Sequence, residues 1–221
     1  MTTNSDFIKL YIADVSVLSD PVLFDRALRT ATPKRREKID RLRQEKDKRL
    51  SLGAECLLKI ALQNEGIESF EYQYGEHGKP YIDDEIEFSI SHSGDFAICA
   101  ISNKDVGCDI EQIGTADLKL AKRFFTQAEY EMLSSSTEDI DTLFFRLWTM
   151  KESLIKLTGR GINQPLNSFE VDVYKGKTLY NGTIYHFKEY EIDKNYRCCV
   201  CSESACKPTQ VNVDLGKEVI G

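Results

Sequence analysis

The chain has 221 residues, 41% hydrophobic and 29% charged, with a formal net charge of −7. That is enough to bury a sizeable core as one domain or two small lobes. An acidic chain whose aromatic residues are not interleaved with its basic ones is not a general nucleic-acid binder, and no apolar run approaches the roughly 20 residues of a membrane span.

Phe7 to Val15 alternates as a first strand. Asp20-Pro21 then caps a helix running to about Thr30, and Thr32-Pro33 repeats the signal before Lys34 to Gln44. From Asp47 onward Leu50, Ala54, Leu57, Leu58 and Ala61 recur at helical spacing. Between Lys34 and Arg49 lie nine Lys/Arg against four Asp/Glu, a basic segment inside an acidic protein and an attractor for phosphate. Phe70 to Tyr74 reads as a strand, followed by Gly75-Glu76-His77-Gly78-Lys79-Pro80, a turn whose backbone can approach a ligand closely. Ile86, Phe88 and Ile90 alternate with polar residues. Ser93-Gly94-Asp95 turns the chain, and Phe96 to Ala100 returns it. With Val106 to Glu111 this reads as a three-stranded antiparallel meander. His92, between Ser91 and Ser93, falls where the first of these strands meets its turn.

In Val106-Gly107-Cys108-Asp109-Ile110-Glu111 the alternation buries one face and presents two carboxylates on the other. Residues two apart on a strand are about 6.6 Å apart, a gap that carboxylate arms can close around Mg²⁺. Thr126-Gln127-Ala128-Glu129 fits a capping box at the start of a helix. Leu143, Leu147, Met150, Leu154 and Leu157 form a buried helical stripe, while Trp148, Glu152 and Lys156 step by four along another face. Thr158-Gly159-Arg160-Gly161 ends that helix. Phe169 to Tyr174, Lys177 to Tyr180, Thr183 to Tyr190 and Tyr196 to Cys201 read as short strands, and the tail beyond Pro208 shows little periodicity and is expected to be loose. Strand, helices and strands, then helix and strands again, suggest two similar lobes, here divided at 1–105 and 106–221.

Seven cysteines, an odd number, and a polar start at Met1 to Asp6 point to reduced thiols and a cytoplasmic protein. Cys198, Cys199, Cys201 and Cys206 lack the second C-x-x-C or His pair that four zinc ligands require. Asp109, Glu111 and Glu152 are hard oxygen donors suited to Mg²⁺. Arg35, Lys38, Arg49, Lys79, His92 and Lys156 would surround a polyphosphate. Neither a P-loop nor a dinucleotide fingerprint is present. The residues themselves point to a metal-assisted reaction at a phosphoryl centre.

Gly78-Lys79-Pro80, Phe88-Ser89-Ile90-Ser91-His92-Ser93, Gly107-Cys108-Asp109-Ile110-Glu111 and Trp148-Thr149-Met150-Lys151-Glu152-Ser153-Leu154-Ile155-Lys156 together resemble the 4'-phosphopantetheinyl transferases. The closer match is the single-chain, surfactin-synthetase-activator type that serves nonribosomal peptide and polyketide synthetases. Arg36-Glu37-Lys38 and Arg123-Phe124-Phe125 extend the likeness over nearly the whole chain. The resemblance implies an α+β fold: a pseudo-twofold monomer of two lobes, each a small, mainly antiparallel sheet packed with helices, with coenzyme A in the cleft between them. It places Mg²⁺, or Mn²⁺ in its stead, on Asp109, Glu111 and Glu152, and the pyrophosphate on Lys156. Arg35, Lys38, Arg49 and His92 would hold the 3'-phosphate. Gly78, Lys79 and Pro80 would face the adenine, with Ser91 beside the phosphates. Glu152 and Lys156 would carry the catalysis, Glu152 as base or only as metal ligand. The implied partner is an apo acyl or peptidyl carrier protein, expected to dock on Thr115 to Leu133, with neither nucleic acid nor membrane involved.

Overall fold

The computed structural model describes residues 6–220. The first half forms β1 (Ile8–Asp14), α1 (Pro21–Thr30), α2 (Pro33–Arg41), α3 (Glu45–Asn64), the short β2 (Gln73–Tyr74) and β3 (Pro80–Tyr81), β4 (Glu87–Ser93) and β5 (Phe96–Ser102). The second half forms β6 (Val106–Gln112), α4 (Leu118–Phe124), α5 (Gln127–Ser135), α6 (Ile140–Thr158), β7 (Lys177–Tyr180), β8 (Thr183–Tyr190), β9 (Tyr196–Ser202), β10 (Thr209–Val213) and α7 (Leu215–Ile220). Helix starts follow their caps: Asp20 accepts from the backbone of Val22 and Leu23, Thr32 from Arg35, and Thr126 with Glu129 closes a capping box. Gly159, in the left-handed region at φ 65°, stops α6.

Two four-stranded sheets result, ordered β10-β1-β5-β4 and β6-β9-β8-β7, with β2 and β3 as a separate hairpin. All pairs are antiparallel except β1 with β10. The apolar side of α3 packs on the first sheet and that of α6 on the second. A third cluster, including Leu10, Ile98, Val106, Ile110 and Val200, is buried between the sheets. This is the expected α+β arrangement of two lobes, each a small sheet packed with helices. Among the described residues no helix is long and apolar enough to cross a membrane, and all seven cysteines are free.

Three sequence expectations are corrected. β6 does not complete a meander with β4 and β5; it pairs with β9 from Val106↔Ser202 to Gln112↔Tyr196. β4 is joined to it by side chains instead. Ser89 Oγ accepts from Cys108 N at 3.0 Å, and Ser93 Oγ accepts from Gln112 N at 3.0 Å. Alternation marks which face of a strand is buried but not which strand lies beside it. Over its described residues, to 220, the tail beyond Pro208 is structured rather than loose: β10 lies parallel to β1, and Leu215 of α7 is buried against the first core. Backbone pairing holds β10, which a polar sequence does not reveal. β10 and α7 thus return from the C-terminal segment to the first sheet. Phe169 to Tyr174 is no strand; Leu166–Ser168 is a 3-10 turn, and only Asp172 bridges, to Lys177.

Candidate active site

The site lies along the seam where β4, β6 and α6 meet. α6 crosses β6 so closely at Gly107 that a Cβ there would stand 2.6 Å from Leu157 N and nearer still to Ser153 O. Only glycine admits that approach, and it carries Glu152 and Lys156 up to the strand holding Asp109 and Glu111. Burial of β6 on both faces leaves Asp109 only 2% exposed.

Lys156 Nζ donates to Asp109 Oδ1 at 2.7 Å and to Ser91 Oγ at 2.8 Å. Ser91 in turn donates to the same carboxylate oxygen at 2.8 Å, and Ser93 donates to Glu111 Oε2 at 2.8 Å. Asp109 Oδ2 is buried without a hydrogen-bond partner, an arrangement that costs free energy unless something else meets it. Burial and then the charge of Asp109 push Glu111 up to about 7, with Glu152 adding and the Ser93 hydrogen bond and Lys156 opposing. Glu152 is raised by burial and by Asp109. Burial would lower Lys156, but Asp109, Cys108 and Glu152 outweigh it and hold the ammonium charged. His92 at the cleft mouth is lowered by burial of its ring and by Lys156, with Lys38 and Arg35 contributing.

Three acids in mutual repulsion, one with an unpartnered buried oxygen, form a donor set that fits a hard divalent cation. All three line a cavity of about 390 Å³ together with Ser91, His92, Trp148 and Lys156. Among the described residues no three His, Cys, Asp or Glu side chains already stand as a metal cluster; Lys156 holds Asp109 in their midst.

Two further cavities adjoin this one, each sharing Ile90 with it. One, of about 570 Å³, is basic: Lys34, Arg35, Lys38 and Arg41 of α2 line it with Tyr72 and Tyr74. Arg35 is braced by the buried Glu55 and by Ser51, 3.1 Å from its Nη1. Burial and Arg35 both lower Lys38. Arg49, half-buried on α3, lines none of the three cavities. The other cavity, of about 520 Å³, is apolar, walled by Phe88, Ile90, Phe124, Trp148, Ile155 and Leu166. Gly78 and Pro80, from the β2–β3 hairpin, border both. Lys79 crosses to the far lobe, donating to Leu157 O at 3.2 Å.

The family model for the 4'-phosphopantetheinyl transferase superfamily matches residues 105–201. The chain is 40% identical over 168 residues to the 4'-phosphopantetheinyl transferase gsp of Aneurinibacillus migulanus, which covers 71% of this chain and 70% of that relative. It is 31% identical over 207 residues to the 4'-phosphopantetheinyl transferase Sfp of Bacillus subtilis (strain 168), covering 89% of this chain and 92% of the relative.

This chain belongs to the 4'-phosphopantetheinyl transferase superfamily. It is a transferase that moves the phosphopantetheine group of coenzyme A to carrier proteins. The matched span of this phosphopantetheinyl transferase holds Asp109, Glu111, Glu152 and Lys156.

A buried ion pair supports the helix that carries Glu152 into the transferase cleft. Lys151, 0% exposed, donates to Glu129 Oε2 and to the carbonyls of Leu166 and Phe169, at 2.8, 2.8 and 2.7 Å, between the rings of Phe125 and Phe169. Glu129 also accepts from Thr126 N and Val171 N at 2.8 Å each. This pair ties α5 and the chain after α6 to the residue next to Glu152. The capping box marked Glu129, but nothing local to Lys151 distinguished a buried lysine from an exposed one.

Proposed function

We propose that the three joined cavities hold one coenzyme A molecule: the 3'-phosphate and adenosine against Arg35, Lys38, His92 and the Gly78-Lys79-Pro80 turn, the diphosphate at Ser91 and Lys156, and the pantetheine arm in the apolar cavity. Asp109, Glu111 and Glu152 would hold Mg²⁺, with Mn²⁺ as a substitute, and the ion would neutralise charge developing on the diphosphate. The serine hydroxyl of an apo acyl or peptidyl carrier protein attacks the β-phosphorus. The bond to the bridging oxygen breaks, and adenosine 3',5'-bisphosphate leaves. Glu152, made more basic by burial and by Asp109, takes the serine proton. Lys156, kept charged by its acidic neighbours, stabilises the departing bridging oxygen. The observation that carries this reading is the meeting of Asp109, Glu111, Glu152 and Lys156 in one cavity that shares lining residues with a basic chamber and with an apolar one.

The carrier would dock on Thr115 to Leu133, where Leu118 is 39% exposed and Phe124 borders the apolar cavity. Seven free thiols suit a reducing cytoplasm, and the enzyme is read as a monomer. The test is to incubate the protein with Mg²⁺, coenzyme A and a panel of apo carriers and weigh the products. Carrier gaining one phosphopantetheine, lost on chelation of the metal, supports the reading. Adenosine bisphosphate without carrier modification would make the protein a hydrolase, and neither product would leave only a binding module.

A further inference from the structure

The β2–β3 hairpin is a strap from the first lobe lying over the turn that ends α6 in the second. Gly75 N donates to Lys79 O at 2.9 Å, closing the strap tip around His77. Beneath it the chain turns through Gly159 and Gly161, at φ 65° and 54°. A Cβ on Gly159 would meet Lys79 Cδ at 3.2 Å, and one on Gly161 would meet His77 O at 3.6 Å. At the rim the carboxamide N–H of Asn163 donates to Nδ1 of His77 at 3.1 Å. The strap and this turn together roof the apolar cavity, which His77, Gly78, Lys79, Gly159, Gly161 and Gln164 line on this side.

The carrier serine enters from the Leu118–Phe124 side, so the end beneath the strap is left for the far end of the pantetheine arm. Gln164 supports that direction. It is buried, its Oε1 accepts from Thr158 Oγ1 at 2.7 Å, and its Nε2 has no partner. An arm carrying two amides supplies the missing acceptor among otherwise apolar walls. We propose that His77 and Asn163 form the closing contact of this cavity and limit how large a group the thiol end of the arm can carry. The inference rests on the apolar cavity being the pantetheine site. With the contact closed, free coenzyme A fits under the strap, whereas a bulky thioester must part His77 from Asn163.

The test is competition between coenzyme A and its phenylacetyl thioester for one apo carrier, read by mass spectrometry as the ratio of the two products. The wild type, His77→Ala, Asn163→Ala, the double variant and His77→Gln are compared. An ordinary exposed hydrogen bond shifts an open–closed balance by about two- to tenfold, so each alanine variant should raise the acylated share by that factor. The double variant should go no further than either single one, and His77→Gln, whose side-chain oxygen can accept from Asn163, should restore the wild-type ratio. A ratio unchanged in either alanine variant, or a glutamine variant behaving like alanine, overturns the assignment. His77 and Asn163 lie on separate elements, so misfolding of one variant leaves the other decisive. If wild-type protein modifies no carrier, the transferase site fails as a reading. The same comparison then runs on calorimetric affinities for coenzyme A and its phenylacetyl thioester, where equal preferences in all variants again overturn the latch.

Discussion

Replacing Gly107 with alanine tests the geometry on which the site depends. Its added Cβ would stand 2.6 Å from Leu157 N, against the 3.4 Å at which ordinary contact begins, and closer to Ser153 O. Both atoms belong to the backbone of α6 and cannot rotate away, so the helix must retreat by on the order of 1 Å, an overpacking that typically costs about 1–3 kcal/mol. At 221 residues each kcal/mol lowers Tm by about 2–4 °C, so a fall of roughly 2–12 °C is expected. The larger effect falls on chemistry. Lys156 donates to Asp109 at 2.7 Å, and a further ~1 Å takes that contact out of hydrogen-bonding range. Misplacement on this scale costs about 10²-fold in rate. The assay pairs a thermal melt with kcat/KM for transfer to an apo carrier, and a serine variant should behave like alanine or worse. An alanine variant that melts with the wild type and keeps its kcat would show that α6 is not seated on β6 as described.

Three other outcomes follow from the same structure. Glu111, raised to about 7, binds its proton more tightly folded than unfolded, so its stabilising contribution is full below about pH 4.5 and is lost as pH rises through 7. Divalent-ion binding needs the carboxylate form, so calorimetric Mg²⁺ affinity should rise between about pH 6 and 8; a slope unchanged in Glu111→Gln would remove this residue from the metal set. Lys151→Ala leaves Glu129 buried and unpaired and should destabilise by about 3–5 kcal/mol. Pairing Lys151→Met with Glu129→Gln should recover much of that loss in a denaturant melt, and equal melts for the single and double variants would contradict a coupled pair. Leu118→Glu should raise the KM for carrier at least about fivefold through lost apolar contact without altering coenzyme A affinity, and an unchanged carrier KM in the folded variant would move the docking surface elsewhere.

Local patterns carried much of the chemistry. Asp109 and Glu111 share a strand face because side chains alternate, and Trp148, Glu152 and Lys156 share a helix face because they recur every four residues. Both groups are legible in order along the chain, as are the caps at Asp20, Thr32 and Thr126, since each depends on atoms within a turn. Tertiary structure decided what stands next to what. β6 chose β9 over β5, Ser89, Ser91 and Ser93 became the stitching between β4 and β6, and β10 returned to β1. The identity of a strand's neighbour is a nonlocal competition for buried area and backbone partners, to which a period of two is blind. The same limit hid the burial of Asp109 and Lys151. Their environments, and hence the raised Glu111 and the fully bonded Lys151–Glu129 pair, come from segments far away in sequence that close over them only when the two sheets and their helices pack.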